Sequence, residues 1–174
     1  SERAESASGS VVCAVIEGSR SLLVEVQALV SPSPMATPRR VANGVDRDRL
    51  AVVLAVLEKR IGIQLSTSDV YVSVAGGVAV DEPALDMAIA LAVASSVTDT
   101  IVDPHSVVMG EIGLSGELRS VSQVGKRISE AKRLGFTEAI VPAGNQDDIR
   151  TPGLRGCKTV ADALSAALGH QRNR

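Results

Sequence analysis

Two stretches decide the reading of this chain: VAGGVAVDEPALD at residues 74–86 and GEIGLSGELRSVSQVGKR at residues 110–127. In the first, an apolar β-branched run meets Gly76-Gly77, and Asp81, Glu82 and Pro83 then precede another apolar run. Paired glycines end a strand. An acid followed by proline starts a helix, because a carboxylate can accept the free first-turn N–H groups and proline loses no hydrogen bond there. In the second stretch, glycines bound a turn at residues 113–116, with short strands predicted at 107–109 and 117–119. An amphipathic helix follows over 122–134, stopped by Gly135.

Outward from these stretches the same alternation holds. Residues 11–17 and 21–30 are apolar and β-branched around Gly18-Ser19-Arg20, which predicts a β-hairpin. Ser31-Pro32-Ser33-Pro34 ends the second strand and opens a loop expected to reach Asn43-Gly44. From Asp46, residues Leu50, Val53, Leu54, Leu57 and Ile61 make one helical stripe with Gly62 as its stop. Arg49 and Arg60, nearly three turns apart, share one edge of that stripe. A buried strand is expected at 70–75, a central helix apolar on nearly every face at 83–96, a strand at 138–141, a last strand near Lys158 and a helix at 160–168. Strands interleaved with helices after an opening hairpin define an α/β domain with helices packed on a sheet. Residues 1–10 read as a linker, 11–168 as the domain and 169–174 as a flexible basic tail.

With 174 residues the chain suits one core. Tyr71 and Phe136 are its only aromatics, so Val, Leu, Ile and Ala must build that core. Cys13 and Cys157 lie far apart without metal-ligand spacing and read as reduced thiols in a cytoplasmic protein. The run at 87–94 is too short to span a bilayer. The net charge is −2, yet residues 39–60 hold six basic and three acidic residues, a local net of +3. Such segregation acts locally whatever the total.

Familiar active-site patterns are absent. Gly125-Lys126 is no P-loop, because Ser120 stands where the first glycine is required and Arg127 where a Ser or Thr would hold magnesium. Gly76-Gly77 lacks dinucleotide-binding spacing, and His105 and His170 have no carboxylate cluster around them, so no metal site is expected.

The two deciding stretches resemble the proteolytic domain of Lon proteases. In that family a nucleophilic serine opens a helix within a D-G-P-S-A-G-like stretch. A lysine base follows about forty residues later in a G-G-L-K-E-K-like stretch, after a GE-x-x-L-x-G hairpin. The resemblance puts the serine position at Ala84 and the lysine position at Gly125. Alanine has no heteroatom to attack a carbonyl, and glycine has no side chain at all. Lys126 is one residue along, a rotation of roughly 100° on a helix, which aims it away. The implied fold is Lon proteolytic-domain-like (ribosomal protein S5 domain 2-like), without catalysis.

Further stretches narrow the resemblance to the bacterial RadA (Sms) recombination family: SGSVVCAVIEGSRSLLVEVQALV from Ser8, TPRR from Thr37, GVDRDRLAVVLAVLEKRIG from Gly44, LDMAIALAVASS from Leu85 and EAKRLGF from Glu130. This resemblance implies the C-terminal Lon protease-like domain of a longer, DNA-dependent ATPase that promotes branch migration in recombination and repair. ATP, Mg and Zn would belong to a RecA-like core and a four-cysteine zinc finger elsewhere in that parent, and no cofactor to this domain. The implied partners are DNA, single-stranded and branched, further copies in a ring, expected to be a hexamer, and the recombinase RecA. No membrane partner is implied. Arg39, Arg40, Arg47, Arg49, Lys59 and Arg60 are the candidate DNA contacts, with Lys126 and Arg127 secondary. The alternative is a residual serine peptidase using Ser95, Ser96, Ser120 or Ser122, or a degenerate groove that binds peptide.

Overall fold

A computed structural model describes residues 7–169 of the chain. Strands β1 (Ser10–Glu17) and β2 (Arg20–Pro32) form the opening hairpin, in register from Ser10 opposite Gln27 to Glu17 opposite Arg20. Its loop has two residues with a positive φ at Gly18, the first of them, as tight hairpin turns require. The chain then adds β3 (Arg40–Asn43), helix α1 (Arg47–Val56), β4 (Ser68–Val74), α2 (Asp86–Thr98), β5 (Ser106–Val108), β6 (Glu111–Ile112) and β7 (Leu118–Arg119). The closing elements are α3 (Val124–Arg133), β8 (Glu138–Pro142), the single turn α4 (Ala143–Gln146), β9 (Leu154–Cys157) and α5 (Val160–Leu168).

Seven strands make one mixed sheet in the order β3-β4-β2-β1-β5-β8-β9. Four neighbouring pairs are parallel, and β2 runs antiparallel to both its neighbours. The sheet is packed by helices, as the α/β reading expects. Helix α2 lies across β1, β2 and β4, with α1 and α5 against it. Ten of its residues, from Asp86 to Ser95, are buried, so an apolar sequence on every face fits a helix surrounded by protein. Helix α3 packs on the opposite face over β1 and β2. Strand β1 is therefore buried on both faces from Val11 to Val15.

Several expectations are corrected. The loop predicted up to Asn43-Gly44 contains β3, a parallel edge strand on β4, and Arg40 belongs to that strand. It is only four residues long and half-exposed, so it carries no clear alternation. The small hairpin around residues 113–116 is built from β6 and β7, whereas β5 joins the large sheet. The linker expected to reach Ser10 ends sooner. The Gly9 carbonyl accepts from the Ala28 N–H, the Gly9 N–H donates to Ser95 Oγ at 2.8 Å, and Ser8 Oγ donates to Asp99. Gly9 has φ +88°, and a Cβ there would lie 2.2 Å from the Ala28 carbonyl oxygen, so the tether requires glycine. Residues 1–6 of the expected linker and 170–174 of the expected tail lie outside the described residues.

Helix α1 matches its prediction at both ends. Asp46 Oδ2 accepts from the Arg49 N–H at 3.0 Å as the N-cap. The helix continues as a wider π-type turn over Leu57–Ile61 and stops at Gly62, φ 85°. Glu82 holds the N-cap position of the short 3-10 turn over Pro83–Leu85 that leads into α2, but its side chain accepts none of the first-turn N–H groups. Glu82 has a different task.

Candidate functional site

Strand β1 pairs with β5 only at Val12 and Cys13. Beyond them its outer edge has no strand neighbour, and buried backbone groups there need partners. Two side chains supply them. Glu82 Oε2 accepts from the Ile16 N–H at 2.6 Å, and Arg127 Nη1 donates to the Ala14 carbonyl at 2.9 Å. Arg127 and Glu82 also form an ion pair with each other, and Arg127 Nε donates to the Ser122 carbonyl at 2.7 Å. Arg127 is 1% exposed. The expectation that Arg127 faces solvent, DNA or a partner is thus overturned, because its charge completes the edge of β1.

This pair joins the segment that carries Ala84 to the helix that carries Gly125. Glu82 lies two residues before Ala84, and Arg127 two residues after Gly125. Ala84 is buried, and its carbonyl accepts from the Gly110 N–H. Gly125 is exposed in the first turn of α3, and a Cβ built on it meets only Ile149 Cδ1 at 3.9 Å. Lys126 points elsewhere, donating to the Ser19 carbonyl at 3.2 Å. Cys13 lies beside Ala84 with its thiol near the Ala84 carbonyl, and burial pushes that thiol far above its ordinary pKa, so it is no nucleophile. Three of the four candidate serines have structural partners. Ser95 Oγ accepts from Gly9 and donates to the Thr100 carbonyl, Ser96 Oγ accepts from the Val30 N–H, and Ser122 Oγ lies 3.5 Å from Arg127 Nη2.

A second buried charge sits at the start of α2. Asp86, 1% exposed, pairs with Arg49 and accepts from the Ile112 N–H at 3.1 Å. Burial pushes its carboxyl above the ordinary value, against the pull of the Arg49 guanidinium and the Ile112 N–H. Arg49 therefore ties α1 to α2 and, through Asp86, to β6, so its charge is already matched inside the fold.

The remaining basic candidates divide in two. Arg40 directs its guanidinium inward, donating to the Leu65 carbonyl at 2.7 Å and also to that of Ser68. Arg39, Arg47, Lys59 and Arg60 are exposed. Arg60 Nε donates to the Leu114 carbonyl in the turn between β6 and β7 at 3.3 Å, so Arg49 and Arg60 do share a side of the helix, the one facing that hairpin. Between β3 and α1 runs an open groove of about 620 Å³, with Ala42, Leu50 and Leu54 at its base and Arg40, Arg47 and Glu58 along it. Among the described residues there is no metal-binding cluster of His, Cys, Asp and Glu, and no helix long and apolar enough to cross a membrane.

The family model described as subunit ChlI of Mg-chelatase matches residues 42–145, which run from β3 into α4 and include both deciding stretches. The chain belongs to that family, and over nearly its whole length it is homologous to part of the proteins named DNA repair protein RadA. It is 48% identical to the RadA of Halalkalibacterium halodurans over 97% of this chain and 37% of that protein. Identity to the RadA of Bacillus subtilis is 47%, covering 97% of this chain and 37% of the relative. For Synechocystis the identity is 52%, with 88% of this chain and 30% of the relative covered. The chain thus spans about a third of the length of the relatives it matches, and the RadA resemblance drawn from the sequence holds.

Proposed function

We propose that this chain is the non-catalytic, Lon-like domain of a RadA-type DNA-dependent ATPase that acts in recombination, branch migration and repair in the bacterial cytoplasm. In this reading the domain supports assembly of a hexameric ring and adds DNA contacts to it. ATP and Mg act in the parent's RecA-like core, Zn in its zinc finger, and RecA is a partner of the whole. One observation carries the proposal: 44–52% identity to proteins named DNA repair protein RadA across nearly all of the chain.

The site geometry supports the absence of catalysis. A serine–lysine dyad needs a hydroxyl and an unprotonated amine within hydrogen-bond reach. Here the segments bearing Ala84 and Gly125 are held together by the Glu82–Arg127 pair, whose groups are engaged by the backbone of β1. The DNA contacts narrow to the exposed cations Arg39, Arg47, Lys59 and Arg60. Arg40 stays as a rim residue of the groove beside β3, and Lys126 as an exposed secondary contact. Arg49 and Arg127 act inside the fold.

Fluorescence anisotropy of labelled DNA across a salt series tests this reading, with light scattering alongside. Binding that falls steeply with salt, and is lost when Arg39, Arg47, Lys59 and Arg60 are replaced together by Ala, is the expected result. Binding that ignores salt or survives that replacement would refute the assigned contacts. Oligomers without DNA binding would leave the domain an assembly module only.

A further inference from the structure

The large sheet is covered unevenly. On the face away from α2, α3 covers β1 and the adjoining part of β2, and beyond it β2, β4 and β3 present a row of side chains in register. Leu29 on β2 is paired with Tyr71 on β4, and Tyr71 with Val41 on β3. Leu29 is 60% exposed, whereas Ala28 and Val72 on the opposite face are buried. On one side of this apolar row lies a polar row, Gln27–Ser73–Asn43, and on the other Ser31 and Asp69. Arg39 precedes Val41 by two residues and is exposed at the end of the patch, its Nη2 3.9 Å from Met35 Sδ.

The acids of this face are already engaged. Asp69 accepts from the Arg39 N–H at 2.7 Å, and Glu25 accepts from Ser10 and Gln27. No ion pair among the described residues engages the Arg39 guanidinium, although its charge and that of the Asp69 carboxylate attract, and Arg39 stands one row along the sheet from Val41 and Tyr71. An apolar strip one residue wide between polar rows is too narrow for the continuous apolar core of a protein interface. It suits a nucleobase, which stacks on an aromatic face and hydrogen-bonds from its edge, with a phosphate held by arginine.

We infer that this open face binds single-stranded nucleic acid, with a base stacked on Tyr71 between Leu29 and Val41 and a phosphate on Arg39. The inference rests on the DNA-binding reading above and assigns it a surface that the arginine pattern along α1 does not reveal. Duplex DNA keeps its bases stacked inside, so it cannot use Tyr71 in this way.

Tyr71 is the only tyrosine and the chain has no tryptophan, so intrinsic emission excited near the tyrosine band reports this face alone. The wild-type chain is titrated with a thymidine oligonucleotide and with a duplex, while anisotropy of labelled DNA reads binding separately. The oligonucleotide should quench the emission and the duplex should not, and Tyr71→Ala should weaken single-strand binding about tenfold with duplex binding unchanged. Leu29→Ser, a change at an exposed position, should weaken single-strand binding in the same direction if Tyr71→Ala fails to fold. Binding to both DNAs with emission unchanged would overturn this inference and leave the DNA-binding reading standing, whereas absence of all binding would remove both. If Tyr71→Ala instead breaks up an oligomer without altering DNA affinity, the face is a subunit contact and the inference is wrong.

Discussion

Two lysine–arginine dipeptides, Lys59-Arg60 and Lys126-Arg127, end in opposite surroundings. Lys59 and Arg60 close the wide turn after α1, both exposed, and Arg60 reaches only a turn carbonyl. Lys126 is exposed too, but Arg127 is buried, paired with Glu82 and bonded to the backbone of β1. The difference lies in what each helix covers. Helix α3 lies over β1 where β5 has ended, so a long side chain with several donors is needed beneath it, and the planar guanidinium of arginine serves where lysine would not. A count of basic residues therefore overstates the positive surface this domain presents to solvent.

The sharpest way to break the comparison is to truncate both arginines. Arg127→Ala leaves the partly buried Glu82 carboxylate without its partner and the buried Ala14 carbonyl unsatisfied, and should cost about 3–5 kcal/mol. Arg60→Ala should stay within about 0.5 kcal/mol of the parent. Urea unfolding at neutral pH reads both. The double change Glu82→Leu with Arg127→Met removes the charges but not the need of the β1 edge, so it should remain about 1–3 kcal/mol less stable than the parent. Full recovery would mean that the pair serves only its own charges.

Asp86 provides a second test with a pH signature. Its carboxyl is raised by burial, so the stability it contributes is fully present below the unfolded-state value and is lost as pH rises through the folded value. Asp86→Asn does not titrate there. The parent should therefore gain on this variant as pH is lowered from neutral into the carboxylate range, read by urea unfolding at a series of pH values. A parent that instead loses ground on acidification would show that the Arg49 pairing outweighs burial. Arg49→Ala should weaken folding by acting on the same pair, which distinguishes it from the exposed arginines.

Smaller effects belong to the exposed cations. Replacing Arg47, Lys59 or Arg60 singly by Ala should leave the unfolding midpoint in place and lower the salt dependence of DNA binding by about 0.9 in log–log slope for each phosphate contact removed. Arg40→Ala is expected to act differently, loosening the carbonyls of Leu65 and Ser68 before it alters any DNA contact.

Much of this architecture was legible from the residues themselves. Apolar spacing from Leu50 to Ile61, the stops at Gly62 and Gly135, and the all-apolar run that became α2 each reflect local physics that acts within one element. What escaped depends on partners distant in the chain. Strand β3 exists because β4 accepts it, not because RVAN prefers to be extended. The roles of Glu82, Asp86, Arg49 and Arg127 follow from where β5 ends and how α3 lies, which no spacing rule encodes. One signal was available: Asp86 opens an otherwise apolar helix, and a buried acid requires a cation.

The last prediction is of no effect. Ala84→Ser with Gly125→Lys supplies the two groups that a serine–lysine dyad requires, and the space around Gly125 admits the lysine, whose Cβ meets only Ile149 Cδ1 at 3.9 Å. Catalysis needs more than the groups. The amine must lose its proton, yet Glu82 lies two residues from the new serine and favours the charged form of any lysine that reaches it. The serine would sit at a position now 3% exposed, beside a carbonyl already taken by Gly110. The double variant is therefore expected to fold, cut no fluorogenic peptide and take up no serine-reactive probe. Labelling at the new serine would show that a serine at this position can be activated despite the Glu82–Arg127 pair, and would overturn the non-catalytic reading.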